Sequence, residues 1–252
     1  MLKKRIIGTI IVLDGLAVQS FGYQKYLPLG KPAVLVENLD RWGVDEIFIQ
    51  SIDRSSKNLG PDFDLINEVV SVGVHTPIIY GGGVCCAQDA TKLISAGVER
   101  IVVDAFAHNH VEDLHAISKV IGAQALLVNL PVTIKNNAIF RFNHVTRCDT
   151  EIDTLEFINS IKESISELIV SDRENEGFNQ KFSPEIASSF SNCDKSLILF
   201  GGISSPEQIK TFFKQKNVSA VAIGNSLNYR EQAVQKLKQK LTDEAVRPPY
   251  FN

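Results

Sequence analysis

The chain repeats itself at a spacing of 120 residues. Residues 78–109, IIYGGGVCCAQDATKLISAGVERIVVDAFAHN, align with residues 198–229, LILFGGISSPEQIKTFFKQKNVSAVAIGNSLN, without a gap. Gly81/Gly201, Gly82/Gly202, Gln88/Gln208, Thr91/Thr211 and Val98/Val218 coincide. A second echo, in the same chain order, pairs DEIFIQSIDR (45–54) with SELIVSDR (166–173). One duplicated half explains both echoes, and it restricts the fold to architectures with internal twofold symmetry.

The unit being duplicated is a strand followed by a helix. Near-continuous apolar runs at 5–13, 45–52, 77–81, 100–105, 125–130, 167–171, 197–201 and 220–225 read as strands buried on both faces. Amphipathic stretches at 32–42, 62–72, 86–96, 111–121, 153–164, 183–190, 206–215 and 230–241 read as helices. Ser183-Pro184-Glu185 and Ser205-Pro206-Glu207 put a capping residue and a proline at two helix starts. Eight units in 252 residues, about 31 residues each, match the size of a (β/α)8 TIM barrel built from two half-barrels. An open doubly wound sheet of five or six units would leave two strands over. The segment VTIKNNAIFRFNHVTRC (132–148) alternates with period two around Lys135-Asn136-Asn137 and reads as an inserted β-hairpin. No Pro/Gly-rich boundary divides the chain, so residues 1–252 are expected to form one domain.

Composition narrows the function classes. A net charge of −3 offers no basic surplus for nucleic acid or an anionic membrane. No apolar run approaches the roughly 18 residues of a membrane span, and the start MLKKRIIGTIIVLDG is unlike a signal peptide. Four cysteines, two of them adjacent, make no disulfide framework, so a reducing cytoplasm is the expected compartment.

Two glycine loops are candidate anion sites. Gly81-Gly82-Gly83 follows the third strand and Gly201-Gly202 the seventh; Asp104-Ala105 and Gly224-Asn225 end the neighbouring fourth and eighth strands. Glycine lets backbone N–H groups approach an anion closely, and the following helix adds a positive dipole end. Tight βα turns would need the same glycines. Pairing by an internal repeat favours phosphate binding, or a relic of it, at Gly82, Gly83, Gly201, Gly202, Gly224 and Asn225.

Over nearly its whole length the chain resembles the cyclase subunit family of imidazole glycerol phosphate synthase. The resemblance is carried by Lys4 to Ile7, Asp14-Gly15, Val44-Asp45-Glu46, Tyr80 to Gly83, Glu167, Ser171-Asp172-Arg173, Phe200 to Gly202 and Tyr229-Arg230-Glu231. It implies a duplicated barrel taking ammonia from a class I glutaminase docked at the N-terminal face. The ammonia would pass up the axis to a phosphorylated small molecule at the C-terminal face. Four residues match the family's charged ring around the ammonia entrance: Arg5, Glu46, Arg100 and Glu167. Glu99 matches an acidic residue that meets the glutaminase. At the other end the chain departs from the family. The two catalytic aspartate positions hold Ile11 and Pro131, with Asn129 the nearest polar group to the second, and an amide cannot replace a carboxylate acid/base. Gln19 stands for a loop lysine, Asp104-Ala105 for a phosphate-binding Asn-Thr pair, and Glu174-Asn175-Glu176 for an Asp-Gly-Thr. The second-half phosphate loop looks sound and the first-half loop, with its carboxylate, does not.

An intact ammonia entrance below an altered active face implies delivery without cyclisation. The pattern resembles the divergent branch of the family associated with acetamidino modification of surface glycans, where a separate ATP-dependent amidotransferase is a further partner. Two alternatives stand beside it: a genuine cyclase in which Asp14 or Asp104 substitutes, and a non-catalytic scaffold. No metal or other cofactor is expected. His75, His108, His110, His115 and His144 lack metal-ligand spacing, although His108 and His110 follow the fourth strand on the active face. Cys85-Cys86 reads as a helix start that could lower a thiol pKa. Asp53-Arg54 and Asp172-Arg173 are expected to pair within their loops, and Trp42 to pack on the first helix.

Overall fold

The structure is a computed structural model that describes residues 3–104, 111–136, 138–229, 232–242 and 244–249. Eight parallel strands close a barrel: β1 (Arg5–Leu13), β4 (Glu46–Ser51), β5 (Ile78–Gly81), β6 (Arg100–Val103), β7 (Leu126–Lys135), β10 (Glu167–Asp172), β11 (Ser196–Phe200) and β12 (Val218–Ile223). Each pairs with the next in that order, and β12 returns to β1. Helices α1 (Pro32–Trp42), α2 (Phe63–Val70), α3 (Ala87–Ser95), α4 (Val111–Ile121), α5 (Thr154–Ile161), α6 (Pro184–Ser189), α7 (Pro206–Phe213) and α8 (Ala233–Gln239) return the chain between strands and after the last one. This is the (β/α)8 architecture that the alternation of apolar runs and amphipathic stretches implied.

The strands are buried on both faces, and their alternation sorts residues into two shells. Ile7, Ile11, Phe48, Ile79, Val102, Leu127, Ile169, Ile198, Phe200, Ala220 and Ala222 come from all eight barrel strands and fill the interior. The alternating residues, such as Ile6, Ile47, Ile78 and Leu197, pack outward against the helices. Local signals set the helix ends. Asp62 and Asp153 cap α2 and α5, and Ser205 caps α7 by accepting from Gln208 N. Ser183 precedes α6, but its hydroxyl donates to Glu185 instead of capping. Trp42 ends α1 half-buried against the outer core.

Two excursions cover the C-terminal face. After β1 the chain forms β2 (Leu16–Phe21) and β3 (Lys25–Gly30), an antiparallel pair in a stretch for which the sequence suggested no strand. After its barrel portion β7 runs on to Lys135, turns through Asn136 in the left-handed region, and pairs with β8 (Ala138–Asn143). A third strand, β9 (Cys148–Glu151), joins β8, so the expected hairpin segment is part of a three-stranded ribbon.

Candidate functional site

At the N-terminal mouth the first residues of β1, β4, β6 and β10 converge. Arg5 Nη2 donates to both Glu167 oxygens at 2.6 and 2.7 Å, and Arg5 Nη1 lies 3.3 Å from both Glu46 oxygens. Arg100 Nη1 donates to Glu46 Oε1 at 3.1 Å and Arg100 Nη2 to Glu167 Oε2 at 2.6 Å. The four side chains therefore form a closed ring of alternating charge. The glutamates are unequal. Burial pushes the Glu46 carboxyl above its usual range, despite Arg5 and Arg100. Burial also opposes charge on Glu167, but the two arginines and hydrogen bonds from Arg5 and Ser219 outweigh it and hold that carboxyl low. Glu99 is exposed beside the ring, and its Oε2 accepts from Ile78 N at 2.6 Å. On the same face a second ion pair, Lys238–Asp45 at 2.9 Å, is almost fully buried.

Above the ring the axis is apolar apart from Thr9, and further polar groups appear near the strand ends. Asp104, Asn129 and Ser171 lie two residues beyond the inward-facing Val102, Leu127 and Ile169 and share their side. Ser171 Oγ donates to Asn129 Oδ1 at 2.5 Å, and Asn129 Nδ2 donates to Asp104 Oδ2 at 3.1 Å. His144, from the turn after β8, brings Nδ1 within 3.5 Å of the same Asp104 oxygen. Asp104 Oδ1 is buried with no hydrogen-bond partner among the described residues. These groups edge a cavity of about 700 Å³, which Gln50, Lys57, Gly82, Gly83, Pro131, Phe142, Arg147 and Arg173 also line. Tyr23 and Tyr26 of the β2–β3 excursion close one side of it. Ile11, expected from the resemblance to replace one catalytic aspartate, faces inward, and Pro131, expected to replace the other, is buried; neither side chain transfers a proton.

The glycine loops require a register correction. The gapless shift of 120 equates Ile78 with Ile198, yet Ile78 faces the helices and Ile198 the barrel interior. The inward residues of β5 and β11 are Ile79 and Ile198, and the helix caps Cys86 and Ser205 keep the same offset of one less. Gly82 and Gly83 are therefore the counterparts of Gly201 and Gly202. Their backbones show the equivalence. All four have positive φ, and a Cβ on Gly82 would lie 2.3 Å from Ser51 O, as one on Gly201 would lie 2.4 Å from Asp172 O. A one-residue slip exchanges the two faces of a strand, so a repeat that looks continuous in sequence can be out of phase in space.

The two loops differ in the space they open onto. Beside Gly201, Gly202, Gly224 and Asn225 only about 20 Å³ is open. Asn225 Nδ2 donates to Ser20 O at 2.7 Å and to Gly177 O at 3.2 Å, tying the first and sixth loops together. Glu176, buried in the same place, accepts from Ser20 Oγ at 2.6 Å. The first-half loop, Gly82-Gly83, opens instead into the large cavity, and Gly83 N donates to Ser55 Oγ at 3.1 Å.

Other candidates are placed differently from their sequence reading. Asp14 is exposed and bonds Lys57, which also bonds Asp53 at 2.9 Å. Arg54 donates to the carbonyls of Leu59, Gly60 and Pro61, and Asp172 accepts from Asn175 and Ser183. Arg173 instead lies over the Phe142 ring, 3.6 Å from its centroid. Neither Asp-Arg pair forms, because each side chain has a nearer partner within its own loop or across the cavity. Gln19 is buried in β2. Cys86 does stand at the start of α3, but the Cys85 thiol is not activated: shelter of the sulfur and then Asp89, 3.3 Å away, push it up to about 11. Cys85, Cys86 and Asp89 are the one cluster of three metal-type donors among the described residues. Ala105, His108, His110, Arg230 and Glu231 lie outside the described residues. Sequence reasoning missed the contacts of His144 and Glu176 and the stacking of Arg173. Their partners are 40, 156 and 31 positions away, and no spacing rule reports such contacts.

Comparison with known proteins agrees with this architecture. Residues 5–233 match the model of the family described as histidine biosynthesis protein. Imidazole glycerol phosphate synthase subunit HisF of Thermococcus gammatolerans is 24% identical over 248 residues, 98% of each chain. The subunit of the same name from Bacillus cereus is 25% identical over 254 residues, again 98% of each. That from Campylobacter concisus is 25% identical over 246 residues, 96% of each. The match to the family model spans all eight barrel strands, and this chain belongs to the histidine biosynthesis protein family.

Proposed function

We propose that this chain is the barrel subunit of a glutamine amidotransferase system, conducting ammonia without cyclase chemistry of its own. A class I glutaminase docks on the N-terminal face, with Glu99 in the contact, and forms a heterodimer with the barrel. Ammonia enters through Arg5, Glu46, Arg100 and Glu167, crosses the apolar interior and emerges in the upper cavity. There it meets a phosphorylated acceptor held at Gly82 and Gly83. The end use is amidination of a surface sugar, in concert with a separate ATP-dependent amidotransferase in the cytoplasm. Gly201, Gly202, Gly224 and Asn225 are then a relic of a second phosphate site.

One contrast carries this reading. The charged ring is complete, whereas the positions that would handle protons in cyclisation hold Ile11 and Pro131. Charges gathered at the N-terminal face of a barrel are unusual, because barrel active sites lie at the opposite face. A polar gate for a small molecule accounts for them. Reconstitution with the cognate class I glutaminase tests the delivery half: the barrel should bind it and change its rate of glutamine hydrolysis. No binding and no change in rate would leave only a scaffold role. Supplying the purified chain with the bisphosphate cyclase substrate and ammonium tests the other half. Turnover of order 1–10³ per second would restore the cyclase, with Asp104 as the substituting carboxylate.

A further inference from the structure

The polar cluster under the upper cavity is not used by ammonia conduction alone. Asp104 has one oxygen engaged by Asn129 and His144 and the other buried without a partner among the described residues. A buried carboxylate oxygen left without a donor costs free energy, so it is expected where a ligand supplies the donor. A second such atom lies below it. Thr9 alternates with Ile7 and Ile11, faces the barrel interior, and its buried Oγ1 also has no partner among the described residues. Two orphaned acceptors on the inner wall, above an entrance ring, fit a small ligand with several N–H donors.

Resting on the ammonia-delivery reading, we propose that Asp104 and His144 form an ammonium-binding station at the C-terminal mouth. Asp104 holds one cation at a time, either ammonium or the His144 imidazolium. A proton moving from the ammonium nitrogen to the imidazole breaks one N–H bond and forms another. The electron pair of the broken bond stays on nitrogen as the lone pair of ammonia. The imidazolium then takes over the carboxylate, nucleophilic ammonia is released, and the imidazolium returns its proton to water.

The surroundings suit an exchange of this kind. Asn129, itself anchored by Ser171, fixes Asp104 Oδ2, so the carboxylate stays put whichever cation it holds. Burial pulls the His144 imidazole down, but the Asp104 charge outweighs it and the net titration lies above the usual histidine range. The charge of Arg141 on β8 opposes that effect. It also weakens the hold on ammonium, as release requires. Of the other charged groups lining the cavity, Lys57 is engaged by Asp14 and Asp53, Arg173 stacks on Phe142, and Arg147 is exposed.

The test is the titration of His144 by NMR in the full ¹⁵N-labelled chain, with its signal assigned through His144→Gln. The probe is ammonium chloride against sodium chloride at equal ionic strength. Because ammonium and imidazolium compete for one carboxylate, ammonium at nine times its dissociation constant should lower the His144 midpoint by about one pH unit. Sodium should not. Asp104→Asn should lower the midpoint by itself and abolish the ammonium-specific shift. Equal midpoints in the two salts overturn the proposal on the wild-type chain alone, whether or not the variant folds. So does an ammonium shift that survives Asp104→Asn in a folded variant. Glutaminase coupling measured on the same samples separates the two readings. An ammonium shift without coupling sinks the delivery reading and leaves the site; coupling without the shift sinks the site and leaves delivery.

Discussion

The two ends of the barrel treat charge in opposite ways. At the N-terminal mouth Arg5, Glu46, Arg100 and Glu167 pair with one another in a closed ring, in which Glu46 Oε2 has the Arg5 charge at 3.3 Å but no hydrogen bond among the described residues. At the C-terminal mouth Asp104 keeps an unpartnered oxygen, and Arg173 Nε is buried without a partner among the described residues. A closed ring resists substitution, because each member serves two neighbours. An open cluster is poised for something that arrives. The difference is one of pairing: the lower charges have charged partners, and the upper ones do not all have one.

The largest effect should come from breaking the ring at its most engaged member. Glu167→Ala removes the nearest carboxylate of both arginines and should cost about 3–5 kcal/mol in urea denaturation, as for a buried pair that loses one partner. Glu46→Ala should cost less, since burial already disfavours the Glu46 charge. Equal losses would show that the two glutamates are interchangeable and the ring symmetric.

Next come the loops that face the upper mouth. Gly82→Ala and Gly201→Ala each put a Cβ within 2.5 Å of a backbone oxygen at positive φ, at 2.3 and 2.4 Å respectively. Each should cost about 2 kcal/mol or more. A tolerated Gly201→Ala would show that the second-half loop moves freely and that its closed state is one of several.

A smaller effect distinguishes the ends by pH. The folded-state midpoint of His144 is raised, so its contribution to stability is full below the unfolded midpoint, about 6.5. It is lost as pH rises through the higher folded value. The stability difference between wild type and His144→Gln should therefore shrink across that window. Glu167 has the opposite sign: its folded midpoint is lowered, so its contribution is present above the unfolded value, about 4.3, and is lost as pH falls through the folded one. Parallel pH profiles for the two variants would refute the distinction.

The smallest effect concerns Glu176. Burial raises its midpoint against the hydrogen bonds from Ser20, Tyr23 and Gly22, so charging it near neutral pH works against the fold. Glu176→Gln keeps an acceptor for Ser20 and should be neutral or stabilising by up to about 1 kcal/mol at neutral pH. A clear loss would mean that the charge itself is required, and that the closed second-half loop is a working part.

Much of the fold was legible in the sequence because barrel elements announce themselves locally. Apolar runs of strand length, amphipathic runs of helix length and proline-led helix starts need only neighbouring residues. The segment from Leu16 to Gly30 was not legible as strands. Its hairpin is held by pairing with β1 and by loops from distant parts of the chain. The ring was traceable by matching single residues to a family pattern, since each member begins a strand. The upper cluster was not, since His144 is placed by a turn whose path depends on how β8 and β9 lie over the barrel.

The sequence by itself determined the element order, the duplication, and the absence of a carboxylate at positions 11 and 131. Those are properties of residue type and of spacing within one element. The tertiary structure decided which glycines are equivalent, which loop is open, and that Asp104 meets His144. A gapless alignment cannot sense the face to which a strand turns, and a one-residue change of phase reverses it. Whether a polar atom finds a partner depends on an approach of about 3 Å between segments far apart in the chain, a distance that only the closed barrel sets.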